Sequence, residues 1–336
     1  MDRNGKLCKV GIVGCRHTTQ DVLIGLARHG YLIDHCITIS PEEAERQGVI
    51  GYVELGSLLR DLGIAQTVVD SYSLRATGDR ERVLEVDLDL LLVVGWGRLL
   101  PDWWLNSLPL DAYGVHGAGK PLPFGRGRSP VNWSIVQGMQ MFFTQLFRLE
   151  VGIDDGPIVD VYPFDILPYD DFLTIHLKNT EARLKLYLRN LPAMLDGTPQ
   201  LWSQPDTPPS YYQKRTEEDD TIDWTDCTNT IYNLVRGVTR PFTGAFTFLD
   251  ANPDHRLIVW RAIPFDSHFE WPGSQPGEIV EVFFNGSAVV RTGDTSLLIQ
   301  ESEGYKLGPD DIGRRLKHYK NRSIEEERKT SGPLTT

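Results

Sequence analysis

A chain of 336 residues with 40% hydrophobic and 24% charged side chains has material for two domains, and no apolar run reaches the ~18 residues of a membrane span. Its 46 acidic residues against 34 basic ones leave a net charge of −12, which argues against a surface that binds nucleic acid through phosphates. Four cysteines (Cys8, Cys15, Cys36 and Cys227) show no CxxC spacing, so no metal or disulfide role is expected, and reduced thiols in a cytoplasmic enzyme are.

The opening MDRNGKLCKVGIVG runs into a strand-like stretch with no signal-peptide pattern. Strands are predicted over residues 9–13, 31–39, 67–70, 88–94 and 113–116, with helices over 19–28, 52–62 and 130–137. Near-continuous apolar runs such as LDLLLVVGW suit strands covered on both faces, as in a parallel sheet. Pro130 after Ser129 marks a helix start, because its ring fixes φ where an N–H would lack a partner. The rhythm predicts a Rossmann-like, doubly wound α/β sheet, mainly parallel, with ligands beyond the carboxyl ends of its strands. Further strands are predicted over 142–149 and 158–162, and a long helix over 173–191 that Pro192 stops.

The proline-rich SQPDTPPS cannot pair regularly and reads as a linker. After it, one short helix (231–236) and the runs FTFLD, LIVWRA, GEIVEVFF, SAVVRT and LLIQE predict a smaller β-rich domain. The expected division is therefore 1–202, linker 203–212, β-rich domain 213–304 and a loosely held charged tail 305–336. That tail carries Arg314, Arg315, Lys317, Lys320 and Arg322, but also Glu325 to Glu327, and reads as a solvated face of mixed charge.

Three motifs bear on chemistry. Gly11-Ile-Val-Gly14 lacks the GxGxxG spacing of a dinucleotide turn and is read as a tight strand-to-helix turn. His116 ends a predicted strand, and Gly117, Gly119, Gly125 and Gly127 follow it with Pro121 and Pro123 between them, making a loop whose amides can approach a ligand. Asp154 lies in Gly152-Ile-Asp-Asp-Gly156, where a carboxylate can orient an imidazole or relay a proton, with Asp155 as the adjacent alternative.

These blocks resemble the 10-formyltetrahydrofolate-dependent formyltransferases, the family of methionyl-tRNA formyltransferase, sugar N-formyltransferases and glycinamide ribonucleotide formyltransferase. That family carries a strand ending N-x-H, then S-L-L-P-x-x-R-G, then G-[IL]-D-x-G about forty residues later; this chain has GVH, PLPFGRG and GIDDG. VVGWGRLLPDWWLNSLP is similar to the preceding family strand and turn. KRTEEDDTIDWTDCTNTIYNLVRGVTRPFTGAFTFLD followed by LIVWRA resembles the C-terminal domain of the tRNA and sugar branches.

The resemblance implies a formyltransferase in which His116 stabilises the oxyanion of the tetrahedral intermediate and Asp154 keeps it oriented. It implies 10-formyltetrahydrofolate as co-substrate, held by Trp96, Gly97, Arg98, Leu99, Leu100, Leu122, Val151, Gly152, Asp154 and Gly156, with no metal. Three departures matter. Gly114 replaces the family asparagine whose amide helps hold the oxyanion, and Asn132 and Lys120 are the nearby candidates to replace it. The loop after His116 is about two residues longer before Pro123. ITISPEEAERQG is acidic where the tRNA branch has a basic insertion, which favours a small amine on a nucleotide-linked sugar as acceptor over methionyl-tRNA. A catalytically degenerate folate- or nucleotide-binding protein is the remaining alternative. A homodimer is implied by resemblance alone, and no membrane partner is expected.

Overall fold

Strands apolar at every position can be buried on both faces, and the first half of the chain uses them so. The computed structural model describes residues 8–318. In chain order its first elements are β1 (Val10–Val13), α1 (His17–Arg28), β2 (His35–Ile39), α2 (Pro41–Arg46), α3 (Gly56–Asp61), β3 (Ala65–Val69), α4 (Asp79–Leu84) and β4 (Leu90–Val93). Then come α5 (Asp102–Leu105), β5 (Ala112–Ala118), β6 (Arg126–Gly127), α6 (Pro130–Val136), β7 (Met141–Arg148), β8 (Ile158–Asp165), α7 (Phe172–Leu195) and β9 (Tyr211–Tyr212).

One seven-stranded sheet runs β3-β2-β1-β4-β5-β7-β8. Its first five strands are parallel and β7 and β8 add antiparallel to the edge. Successive side chains go to opposite faces. Ile12, Cys36, Leu92 and Tyr113 join Leu23 of α1 and Leu186 of α7 in one core, while Val13, Ile37, Leu91 and Ala112 join Val83 of α4 and Trp104 of α5 in another. Each fully buried Leu or Ile contributes about 1.5–3 kcal/mol, so sheet and helices hold together. Val93, the last residue of β4, pairs with Gly114, and β5 continues past the end of β4 to Ala118, paired there only with β7. That projection carries His116.

Some expectations are corrected. Pro192 does not stop α7, which runs on to Leu195. A proline forfeits its own N–H bond, but its carbonyl still accepts from Asp196 in the last turn. The helix predicted from residue 52 begins only at Gly56, because Tyr52 bridges to Arg16 and the Val53 amide donates to the Cys15 carbonyl.

The chain divides into two compact units: the first runs to Ser134 and resumes as Met139–Lys214, and the second takes Ile135–Gly138 and continues from Arg215. The segment 203–212 thus belongs to the first unit. The second contains α8 (Thr228–Val238), β10 (Ala245–Leu249), β11 (Arg256–Pro264), β12 (Ile279–Val282), β13 (Ala288–Arg291), β14 (Ser296–Gly304) and β15 (Leu316–Lys317). Its antiparallel sheet runs β12-β13-β14-β11-β10-β15, with Ile231 and Val235 of α8 packed on Leu257, Val259 and Leu297. Leu316 is buried opposite Leu249, so the segment expected to be a loose tail remains in the sheet as far as Lys317. Arg314 pairs there with Asp250 at 2.9 Å and Asp311 at 2.7 Å, whereas Lys320, Arg322 and Glu325 to Glu327 lie outside the described residues. Among the described residues no helix is long and apolar enough to cross a membrane.

Candidate active site

Alternation along β5 sends Gly117 toward α7, where an added Cβ would meet Phe142 and Asn179, and sends Gly114 and His116 to the other face. On that face the loop after β5 folds over the histidine. Leu122 packs on Phe147 and Ile158, and its amide donates to Gln145 Oε1 at 3.0 Å. His116 is left 7% exposed, with Nε2 2.7 Å from the Gly125 carbonyl and Nδ1 3.3 Å from Asp154 Oδ2. A carbonyl only accepts, so Nε2 carries the proton in this bond.

Asp154 arrives from the loop joining β7 to β8. Its φ is +49°, a left-handed conformation that Asp tolerates better than most residues. Gly156 is required beside it, since a Cβ there would lie 1.8 Å from the Arg148 carbonyl. The second contact of Asp154 Oδ2 is the Gly127 amide at 2.9 Å. Asp155 is exposed; Asp154 is the carboxylate that meets the imidazole.

Segment 203–212 holds this arrangement in place. Gln204 Nε2 donates to the carbonyls of Asp154 (2.8 Å) and Gly156 (2.9 Å), while its Oε1 accepts from Arg126 at 2.6 Å. Ser210 Oγ accepts from the Gly125 amide, and β9 pairs in parallel with β6. The prolines that forbid a regular strand leave these side chains free to bridge two loops.

The loop after β4 places Trp96 and Leu100 in the core, Gly97 with its amide on Tyr72 Oη at 2.6 Å, and Leu99 57% exposed. Arg98 lies over the Tyr72 ring, 5.4 Å from its centre. Leu149, at the head of the Asp154 loop, packs against the same core. Val151 is exposed, Gly152 has its open side against the Asp155 carboxylate, and Leu122 is buried as described. Lys120 is exposed with its ammonium 4.9 Å from the centre of the Phe124 ring, and Asn132 is buried in α6.

Residues 58–191 match the family described as formyl transferase, and residues 214–307 match the formyl transferase C-terminal domain. The chain belongs to the formyl transferase family. Among solved structures, HypX from Aquifex aeolicus is similar over 88% of this chain and 46% of its own, with a TM-score of 0.63 and 14% identity. This chain thus spans about half the length of HypX. WlaRD, a sugar 3N-formyltransferase crystallised with dTDP and 5-N-formyl-THF, is similar over 88% of this chain and 98% of its own (TM-score 0.62, 14% identity). The N-formyltransferase from Helicobacter canadensis, in complex with folinic acid and dTDP-3-aminofucose, is covered over its full length at TM-score 0.62 and 13% identity. At these identities the likeness is one of fold.

Within the family frame, three side chains emerge that motif reading missed. Gln145 is directly opposite His116 on β7, 1% exposed, and its Nε2 has no hydrogen-bond partner. Polar Thr144 and Gln145 inside the apolar run MFFTQLFR were the available signal, since a buried strand spends no amide without a use. Gln204 and Tyr72 had none, because the groups they bond lie in loops distant in the chain.

Proposed function

We propose that this chain is a folate-dependent N-formyltransferase that moves a formyl group from 10-formyltetrahydrofolate to the primary amine of a nucleotide-linked amino sugar. One observation carries the reading: His116 and Asp154 meet at 3.3 Å on the projecting end of β5. The folds compared above supply the substrate class, through their dTDP and formyl-folate complexes.

The two flanking loops fit a flat ligand with hydrogen-bonding edges. Leu99, Val151 and Ile153 expose apolar surface, and the amides of residues 151–155 and of Arg98 make no hydrogen bond among the described residues. Trp96 Nε1 is a buried donor without a partner. These loops would hold the folate.

10-Formyltetrahydrofolate, when bound, supplies the formyl carbon and a nitrogen that leaves with a proton. The chain must bring an uncharged amine to that carbon, hold the formyl oxygen and carry one proton from the amine to the departing nitrogen. His116 offers Nε2–H, and the Gly125 carbonyl holds that proton until a substrate atom replaces it. Asp154 orients the ring through Nδ1 and accepts the amine's proton through water. Gln145 stands in for the asparagine that Gly114 replaces: Leu122 fixes its oxygen, which leaves Nε2 as the free donor for the formyl oxygen.

The test is formyl transfer from 10-formyltetrahydrofolate to a panel of nucleotide-linked amino sugars, with His116→Ala and Asp154→Ala beside the parent chain. Turnover of the parent no faster than that of the variants defeats the reading.

A further inference from the structure

In a chain with 46 acidic residues, several arginines of the first unit form no salt bridge among the described residues, and four of them stand close enough to feel one another's charge. No salt bridge among the described residues reaches Arg16, Arg98, Arg128 or Arg183. Arg16 follows β1, and its Nη2 is 3.5 Å from Tyr72 Oη. Arg98 follows β4, stacks on the same Tyr72 ring and is held by Gln47 Oε1 at 3.0 Å. A Cβ on Gly97 would fall 2.8 Å from Arg16 Nη2, so this glycine lets the guanidinium close onto the strand ends.

Behind this group, α7 presents Arg183, whose Nε is buried without a partner, as is Nε of Arg16. His176, about two helical turns before it, contacts Thr18 at 3.4 Å. Burial and the charges of Arg98 and Arg16 hold the Arg128 guanidinium below its ordinary value, and burial with Arg183, Arg16 and His17 lowers His176. The first turn of α1, which starts at His17, contains no acid.

Like charges gathered away from water raise the free energy of the folded chain unless an opposite charge joins them. The carboxylate on the Tyr72 amide, Glu43, is paired with Arg46, and none pairs with these four guanidiniums. The opposite charge therefore comes from a ligand. Two guanidinium forks on one tyrosine, with the charge of Arg128 felt beside them, suit an anion with several oxygens and more than one charge, since each fork can take a pair of phosphoryl oxygens.

We propose that Arg16, Arg98 and Arg128, backed by Arg183, form the seat for a diphosphate, and that it holds the phosphates of the acceptor. The second part rests on the formyl-transfer reading above. The seat adjoins the loop after β4, so a diphosphate there ties an amine-bearing sugar close to the end of β5.

Calorimetric titration of the full chain with inorganic pyrophosphate, dTDP, ADP and thymidine tests this, with Arg16→Gln, Arg128→Gln and the charge-keeping Arg16→Lys. Pyrophosphate and dTDP should bind with an affinity that falls steeply with salt, and thymidine should not. Each Arg→Gln change should weaken dTDP roughly tenfold or more, while Arg16→Lys retains part of the affinity. The unliganded melting temperature of Arg16→Gln should equal or exceed that of the parent, because a repulsion is removed, and its rise on adding pyrophosphate should vanish; a purely structural arginine would give the reverse. Equal dTDP affinity in parent and Arg→Gln variants, or thymidine binding as tight as dTDP, overturns the proposal. ADP matching dTDP supports the seat and leaves base choice to other residues. Arginine-dependent dTDP binding without formylation of any amine keeps the seat and removes the formyl-transfer reading; formylation with arginine-independent binding does the opposite.

Discussion

Asp154 reaches His116 from a left-handed backbone position: its φ is +49°, and Oδ2 stands 3.3 Å from the ring Nδ1. The same oxygen accepts from Gly127, so one carboxylate ties the histidine to the loop that covers it. Substitutions at 154 therefore mix a chemical effect with a backbone one. Asn keeps an acceptor for Gly127 and tolerates the left-handed conformation, whereas Ala does neither. Asp154→Asn should fold like the parent and lose formyl transfer by ~10²-fold or more, as removal of a proton-transfer partner does. Asp154→Ala should lose as much activity and also melt lower. Steady-state kinetics with a thermal melt separates the two, and an Asn variant with near-parental turnover would exclude Asp154 from the proton path.

Gln145 allows a cleaner cut. Gln145→Glu leaves an acceptor for the Leu122 amide but removes the orphan donor, and turnover should fall ~10²–10³-fold, the typical cost of one oxyanion donor. Gly114→Asn should recover part of that loss. An added Cβ at Gly114 lies 2.7 Å from Leu149 Cδ1, the end of a flexible side chain that can swing aside, or be shortened with Leu149→Ala. Parental turnover in Gln145→Glu would mean that the donor comes from elsewhere, and no recovery in the double and triple variants would mean that an amide at 114 does not reach the oxygen.

Much of this was legible in the chain because it is written locally. Strands apolar at every position, such as LLLV of β4, announce burial on both faces, and His116 stands on a strand just before a glycine-rich loop while Asp154 stands in a glycine-bounded one. Some of what was missed was also local: Ser40 caps α2 through the Glu43 amide with Pro41 in its first turn, a start signal present in ITISPEEAERQG and read there only for charge. The rest depends on pairings with no sequence signature. Nothing in SQPDTPPS shows that Gln204 will bridge the Asp154 and Arg126 loops, and nothing in GCRHT around Arg16 shows that α7 will bring Arg183 behind it. Such contacts exist only once the sheet order is set.

The Gln204 bridge is open to test. Gln204→Glu keeps the acceptor for Arg126 but turns its two donor contacts, to the Asp154 and Gly156 carbonyls, into repulsion between oxygens. Each lost or reversed hydrogen bond costs about 1 kcal/mol, so stability should fall by about 1–3 kcal/mol. Turnover should fall roughly tenfold if the Asp154 loop drifts from His116, because small misplacements of catalytic groups are costly. Gln204→Ala should be milder than Glu in the melt. The reverse order in denaturant unfolding would show that the two carbonyl contacts do not hold the loop.

His176 should make the fold sensitive to acid. Burial first, then the charges of Arg183, Arg16 and His17, push its imidazole from the ordinary 6.5 down to about 4. Between those values the unfolded chain takes up a proton that the folded one refuses, so stability is complete above pH 6.5 and drains away as pH falls toward 4. A gap of that size corresponds to about 3 kcal/mol at most. His176→Phe, next to the stacked Phe172 ring, removes the titrating group and should flatten stability across this window without altering it above pH 7 by more than the lost Thr18 contact. Chemical denaturation at pH 4.5, 5.5 and 7 measures it. An unchanged slope in the Phe variant would assign the acid limb to other groups, whereas pyrophosphate that flattens the parent's limb would place the bound anion beside His176, since a nearby negative charge raises the folded pKa and narrows the gap.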